Sequence, residues 1–72
     1  MKTKHKDTQT FRWVVGISPD YVSWQRNPQS WIGKPQKYWV GVRRLGEMEY
    51  GYEPWAHYDR YQDALKVWEA AE

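Results

Sequence analysis

The chain has 72 residues, a formal net charge of +2 and no cysteine. This length allows one domain, and the lack of cysteine excludes disulfides, thiolate metal sites and a cysteine nucleophile. No apolar run approaches the roughly 20 residues that a membrane span needs, and the basic N-terminus lacks the apolar segment of a secretory signal. We therefore expect a cytoplasmic protein with no membrane contact.

The apolar composition is unusual, because aliphatic residues are scarce while the chain holds six Trp and six Tyr. Each large ring can bury on the order of 150–250 Å² of surface. The composition therefore predicts a folded domain with an aromatic core rather than a disordered chain. So small a body cannot bury twelve large rings, and surface rings are common anchors of binding interfaces.

The first ten residues are polar and show no apolar period, which predicts a flexible basic arm. Residues 11–72 are expected to form a single α+β domain. Its first strand is predicted at Phe11–Ser18, where Phe11, Trp13 and Val15 alternate onto one face. Pro19, which can start a helix or turn after a Ser18 cap, ends this strand.

Residues 19–36 are predicted to form a long aromatic loop, since three prolines and a glycine interrupt any regular element. One helical turn over residues 21–25 is the most that the pattern supports. Two readings stay open for the loop's rings, because Trp24 and Trp31 suit either a binding surface or a plug in the core.

The second half of the chain predicts a hairpin followed by a helix. Strands at Lys37–Leu45 and Glu49–Tyr58 would be joined by a turn at Gly46, and Pro54 favours an edge position for the second strand. Asp59 and Gln62 match a capping box at the start of a helix over residues 59–72, whose Tyr61, Leu65 and Trp68 recur at helical spacing. The expected fold is a three-stranded antiparallel sheet packed against one C-terminal helix, with the long loop between strands 1 and 2.

Nothing in the chain indicates catalysis. His5 and His57 are the only histidines, and no set of three or four metal ligands is visible at a suitable spacing. Glu47, Glu49 and Glu53 could supply paired carboxylates, but charged residues beside a hairpin turn usually serve solvation. We expect no enzyme activity, catalytic residue, metal or cofactor.

Charge is divided along the chain. Residues 1–46 hold nine Lys or Arg and two acids, whereas residues 47–72 hold seven acids and two bases. This division favours a partner with patches of both signs, although pairing between the two halves would also explain it. The partner-binding set that we predict combines basic, aromatic and acidic side chains: Trp24, Arg26, Trp31, Lys34, Lys37, Trp39, Arg43, Arg44, Glu49 and Glu53. Packing of Trp39 on a sheet face is the alternative for that ring, and alternation makes Arg43 rather than Arg44 the expected binding residue.

Two resemblances bear on function. The Lys37–Arg44 strand, a further strand and the segment YDRYQDAL at residues 58–65 resemble DNA readers built from three strands and a helix, such as plant AP2 domains and the arm-binding domains of tyrosine integrases. That resemblance implies a sheet that enters the major groove. The chain differs from these domains in its long loop 19–36 and in its acidic last strand.

As a whole, the chain is similar to small early proteins of bacteriophages, which are short, cysteine-free and rich in aromatic residues and which end in a capped helix. This resemblance implies binding to a host machine in the bacterial cytoplasm. The favoured function is a monomeric, non-enzymatic regulator of bacterial RNA polymerase, acting by transcription inhibition or antitermination. The alternatives are direct DNA or RNA binding through a basic-aromatic sheet face and nuclease inhibition of the anti-CRISPR kind.

Overall fold

The computed structural model describes residues 3–46 and 51–72. In this part of the chain, four strands and two helices follow the order β1 (Lys4–Asp7), β2 (Phe11–Ile17), α1 (Pro19–Arg26), a 3₁₀ turn (Pro28–Ser30), β3 (Tyr38–Arg44), β4 (Glu53–Tyr58) and α2 (Tyr61–Ala70). The strands form one antiparallel sheet in the order β1-β2-β3-β4. The predicted α+β class is confirmed. The described part of the chain has one strand and one helix more than the three strands and one helix that we expected.

The extra strand is β1, which lies in the segment that we expected to be a flexible arm. Lys4 pairs with Val15 and Lys6 with Trp13, so β1 extends the sheet beyond β2. The Lys6 side chain crosses to α2, where Nζ donates to the Glu69 carbonyl at 2.9 Å and lies 5.2 Å from the Trp68 ring. Because β1 is polar and held by pairing, it shows no apolar period in the sequence.

One face of the sheet is covered by α2, and the core lies between them. Val15, Val40 and Ala64 are fully buried there, beside Trp13 and Tyr38. The helix adds Tyr61, Leu65 and Trp68, which confirms the predicted apolar stripe. Trp68 Nε1 also donates to the Trp13 carbonyl at 3.2 Å, which ties the helix to β2.

The start of α1 agrees with the expected Ser18 cap, whereas the length of α1 and the start of α2 differ from the expectation. α1 has eight residues instead of a single turn, and the buried Ser18 caps it by accepting the Asp20 N–H at 3.1 Å. The Ser18 N–H donates to the Lys37 carbonyl at 2.8 Å, which joins the start of α1 to the start of β3. α2 starts at Tyr61 after Arg60, whose side chain makes no capping hydrogen bond, so the predicted cap by Asp59 is wrong.

The predicted hairpin is present, and Gly46 has the positive φ of 82° that its turn requires. Tyr38 pairs with Tyr58 and Val40 with Ala56, but the register shifts next to Val40 and Gly41. β4 lies at the edge of the sheet, as Pro54 predicted. The residues 49 and 50 that we expected at its start lie outside the described residues.

Candidate interaction surfaces

Two aromatic rings and two lysines form a cluster beside α1, which we call the α1 cluster: Tyr21, Trp24, Lys34 and Lys37. The two rings lie 5.5 Å apart between centroids. Lys34 Nζ is 5.5 Å from the Trp24 ring and 5.8 Å from the Tyr21 ring, and Lys37 Nζ is 5.7 Å from the Tyr21 ring. These distances are typical of cation–π contacts, so the sequence-predicted Trp24, Lys34 and Lys37 do come together.

Exposed aliphatic side chains occur in the same segment of the chain. Ile32 is fully exposed, and more than a third of the surface of Ile17 and of Val22 is accessible. Most of the Tyr21 surface is buried, so this ring anchors the segment while Trp24 stays half-buried. The segment thus presents apolar, aromatic and cationic groups together, which is the composition of a protein interface core.

Other predicted residues are positioned around this segment. Arg26 is exposed at the last turn of α1. Trp31 is half-buried and ends the 3₁₀ turn, with its N–H donating to the Pro28 carbonyl at 3.2 Å. Arg26, two residues after Trp24 of the α1 cluster, is therefore open to solvent, whereas Trp31 is only partly accessible.

The sheet face opposite α2 is closed at its centre by its own side chains. Trp39 lies over Gly41, so close that a Cβ at position 41 would meet the ring at 2.8 Å and Val14 at 2.9 Å. Only 8% of Trp39 is accessible. Trp39 is therefore a packing residue, which is the alternative that the sequence left open for this ring.

Arg43 and Arg44 lie on opposite faces of the sheet, as alternation predicted. Arg43 pairs across the strands with Arg12, whereas Arg44 pairs with Phe11 on the α2 side. The acidic Glu53 is exposed and pairs with Val42. Glu49 lies outside the described residues.

A shallow groove of about 420 Å³ crosses the edge of the sheet where β1 meets β2. We call it the Arg12 groove, and its lining residues are His5, Lys6, Asp7, Arg12 and Tyr52. Arg12 donates to both carboxylate oxygens of Asp7, through Nε at 2.7 Å and Nη2 at 3.0 Å. The Tyr52 ring lies 5.9 Å from the His5 ring and 5.7 Å from the Arg43 guanidinium.

The charges in this groove reinforce one another. The hydrogen bond from Arg12 lowers the pKa of Asp7, and the positive charges of Arg12 and Arg43 act in the same direction. The pKa of Arg12 is raised by the hydrogen bond and charge of Asp7. Both groups therefore stay ionised at neutral pH, and one carboxylate faces two guanidinium groups.

The partner-binding set predicted from the sequence includes none of the described residues that line the Arg12 groove. His5, Lys6 and Asp7 were assigned to the arm, and Arg12 and Tyr52 were placed in the predicted strands Phe11–Ser18 and Glu49–Tyr58. The only available signal was the alternation that places Arg12 and Val14 on the face opposite Trp13.

A second groove, of about 490 Å³, lies between β4 and the C-terminal end of α2. Trp55 and Trp13 meet there edge to face at 5.3 Å between ring centroids, and Val67 and Ala71 complete the wall. Trp55 is 61% exposed, although its position beside Pro54 did not single it out in the sequence. This groove is apolar, in contrast to the charged Arg12 groove.

Within residues 3–46 and 51–72, no group of three or more His, Asp or Glu side chains is arranged to hold a metal ion. His57 Nε2 lies 3.8 Å from an oxygen of Asp20 at the start of α1. In the same ranges, no helix has the length and apolar character needed to cross a membrane. No protein-family model, curated protein or solved structure shows significant similarity to this chain.

Proposed function

We propose that this chain is a non-enzymatic binding protein that regulates a nucleic-acid-handling machine, with bacterial RNA polymerase as the first partner to test. The observation that carries the proposal is the segment around α1, where a fully exposed Ile32 accompanies Val22 and the α1 cluster. Exposed aliphatic side chains gain little from contact with phosphates, but they gain from burial against a protein. The segment is therefore a contact surface for a protein partner.

The chemistry of this surface also selects the kind of partner. Lys34 and Lys37 sit over the rings of Tyr21 and Trp24, so the positive charge is held next to apolar surface. Such a surface is complementary to a protein patch that combines carboxylates with apolar side chains. RNA polymerase has acidic protein surface close to nucleic acid. The basic first part of the chain, residues 1–46, is complementary in charge to both of these surfaces.

The test is a binding titration between the full-length chain and purified, nuclease-treated bacterial RNA polymerase. Ile32→Glu is the most informative variant, because a fully exposed side chain supports no packing whose loss could unfold the domain. The negative charge that it introduces and the apolar contact that it removes should together weaken binding about tenfold or more. Trp24→Ala should also weaken binding.

Trp55→Ala is the matched control, since this exposed tryptophan lies in the groove beside α2. We expect it to leave the polymerase affinity within about twofold of the parent chain. Lack of binding to purified polymerase would refute the proposed partner. Equal affinities for Ile32→Glu and the parent chain would refute the proposed surface.

A further inference from the structure

We propose that the Arg12 groove is a second site, which binds a phosphodiester of single-stranded nucleic acid while a neighbouring base stacks on Tyr52. The site lies at the β1–β2 edge of the sheet and shares no residue with the α1 cluster. The two sites can therefore be tested separately, and failure of the proposed protein contact would not count against this one.

The donors in the groove suit a phosphate. A guanidinium carries five N–H groups in a planar fork, and Arg12 directs two of them at Asp7. The Asp7 contact holds the guanidinium in a fixed orientation before any ligand arrives. Tyr52 also hydrogen bonds to Arg12, and the donors used by neither Asp7 nor Tyr52 can bond to the oxygens of a phosphodiester in charge-assisted hydrogen bonds.

The net charge of the groove also favours an anion. Asp7 carries one negative charge, whereas Arg12 and Arg43 are both close enough to lower its pKa. Lys6 adds no charge to this face, because its Nζ lies at the Glu69 carbonyl and the Trp68 ring on the α2 side of the sheet. Two guanidinium groups therefore lie near one carboxylate on this face, and such a potential favours the approach of an anion.

The ring of Tyr52 distinguishes nucleic acid from a simple anion. Tyr52 is half-buried on the open sheet face, beside the His5 ring and the Arg43 guanidinium. Cations that follow a backbone and rings on which bases stack are the combination that single-strand binders use. The shallow groove leaves room for an extended strand, whereas an acidic peptide would make no use of the ring.

The experiment measures fluorescence anisotropy of a labelled single-stranded oligothymidine with the full-length chain at two salt concentrations. Arg12→Gln should weaken binding roughly tenfold, because it removes a charged fork, and it should reduce the salt slope by about 0.7. Tyr52→Leu should weaken binding about fivefold or more, while Tyr52→Phe, which keeps the ring, should retain it.

Arg60→Gln is the matched control, since it changes the net charge equally. Arg60 lies two residues after Tyr58, which pairs with Tyr38 at the start of β3. Arg43 lies five residues further along the same strand. That separation is about 16 Å at 3.3 Å per residue, beyond the Debye length of about 10 Å at 0.1 M salt. We expect a loss below about twofold, and an equal loss for Arg60→Gln and Arg12→Gln would overturn the site.

Asp7→Asn keeps the experiment decisive even if Arg12→Gln disturbs the fold. Asparagine keeps an oxygen for Arg12 and removes the only carboxylate among the lining residues that the structure describes, so binding of oligothymidine should tighten several-fold. A damaged fold could not produce tighter binding. Weaker binding by Asp7→Asn would overturn the proposal, as would displacement of the oligothymidine by an equal concentration of polyglutamate or stronger binding to a duplex of the same length.

Discussion

The two faces of the sheet are buried in different ways. On one face, α2 covers Val15 and Val40, and the buried side chains are apolar. On the other face, the centre is closed without a helix because the Trp39 ring packs closely against Gly41. The rim of this second face carries Arg12, Asp7 and Arg43, which stay accessible to a ligand.

This difference explains how a small domain with few aliphatic residues can fold and still keep binding chemistry. A helix covers the centre of one face, so the rings buried under it serve stability. On the other face, the Trp39 ring covers the centre beside Gly41 and leaves room at the rim for charged groups. The two rings that we propose as binding residues, Trp24 and Tyr52, accordingly lie at the margins of the fold.

The largest expected effect is on the α2 side. Trp13→Ala should lower the free energy of unfolding by about 3–5 kcal/mol, because the ring is 6% exposed and lies in the main core. That loss is of the same order as the total stability of so small a domain. Urea unfolding followed by circular dichroism measures it, and Trp55→Ala should lose far less because its ring is mainly exposed. Similar losses for both variants would show that burial by α2 does not dominate stability.

The next effect tests the self-covered face. Gly41→Ala should cost about 1–3 kcal/mol, since its Cβ would meet Trp39 at 2.8 Å, Val14 at 2.9 Å and Tyr52 at 3.0 Å. Gly33→Ala is the control, because nothing lies within 4 Å of its Cβ, and it should be neutral or slightly stabilising. Thermal melting compares the two, and an unchanged melting temperature for Gly41→Ala would mean that Trp39 does not close this face.

A smaller effect tests how β1 is attached to the α2 side. Lys6→Gln should cost about 1 kcal/mol, because it removes the charged hydrogen bond to the Glu69 carbonyl and the contact with the Trp68 ring. In a domain of this size, that loss corresponds to about 4–8 °C in melting temperature. Lys4→Gln changes the same charge on the same strand at an exposed position and should shift the melting temperature less. Equal shifts would indicate that only net charge matters.

The smallest expected effect is the loss of stability at low pH that protonation of Asp7 causes. Asp7 has a folded-state pKa below its ordinary value of 3.8, because Arg12 hydrogen bonds to it. The stabilisation is therefore present above about pH 4 and is lost as the pH falls through the lowered pKa. Asp7→Asn should remove this part of the acid dependence, which melting curves between pH 2.5 and roughly 6 would reveal. Because the pair is solvent-exposed, the change should be slight, and a large loss of stability at pH 7 would contradict this placement.

The candidate surfaces were only partly predictable. Trp24, Lys34 and Lys37 were selected from the sequence and do meet beside α1, because they lie in one segment whose fold is local. Arg12 and Tyr52 were missed because the chain separation between them gives no sign of their contact. Their meeting depends on the order of four strands, which pairing and not composition establishes.

The sequence by itself determined the elements whose side chains repeat at a regular period. Alternation in Phe11–Ile17 and Tyr38–Arg44 and the helical stripe of Tyr61, Leu65 and Trp68 predicted β2, β3 and α2, because burial of one face requires such periods. Only the tertiary structure decided β1 and the burial of Trp39. A polar edge strand is held by backbone pairing and by Lys6, and a ring is buried over Gly41 only when the fold brings them into contact, so neither leaves a local pattern of its own.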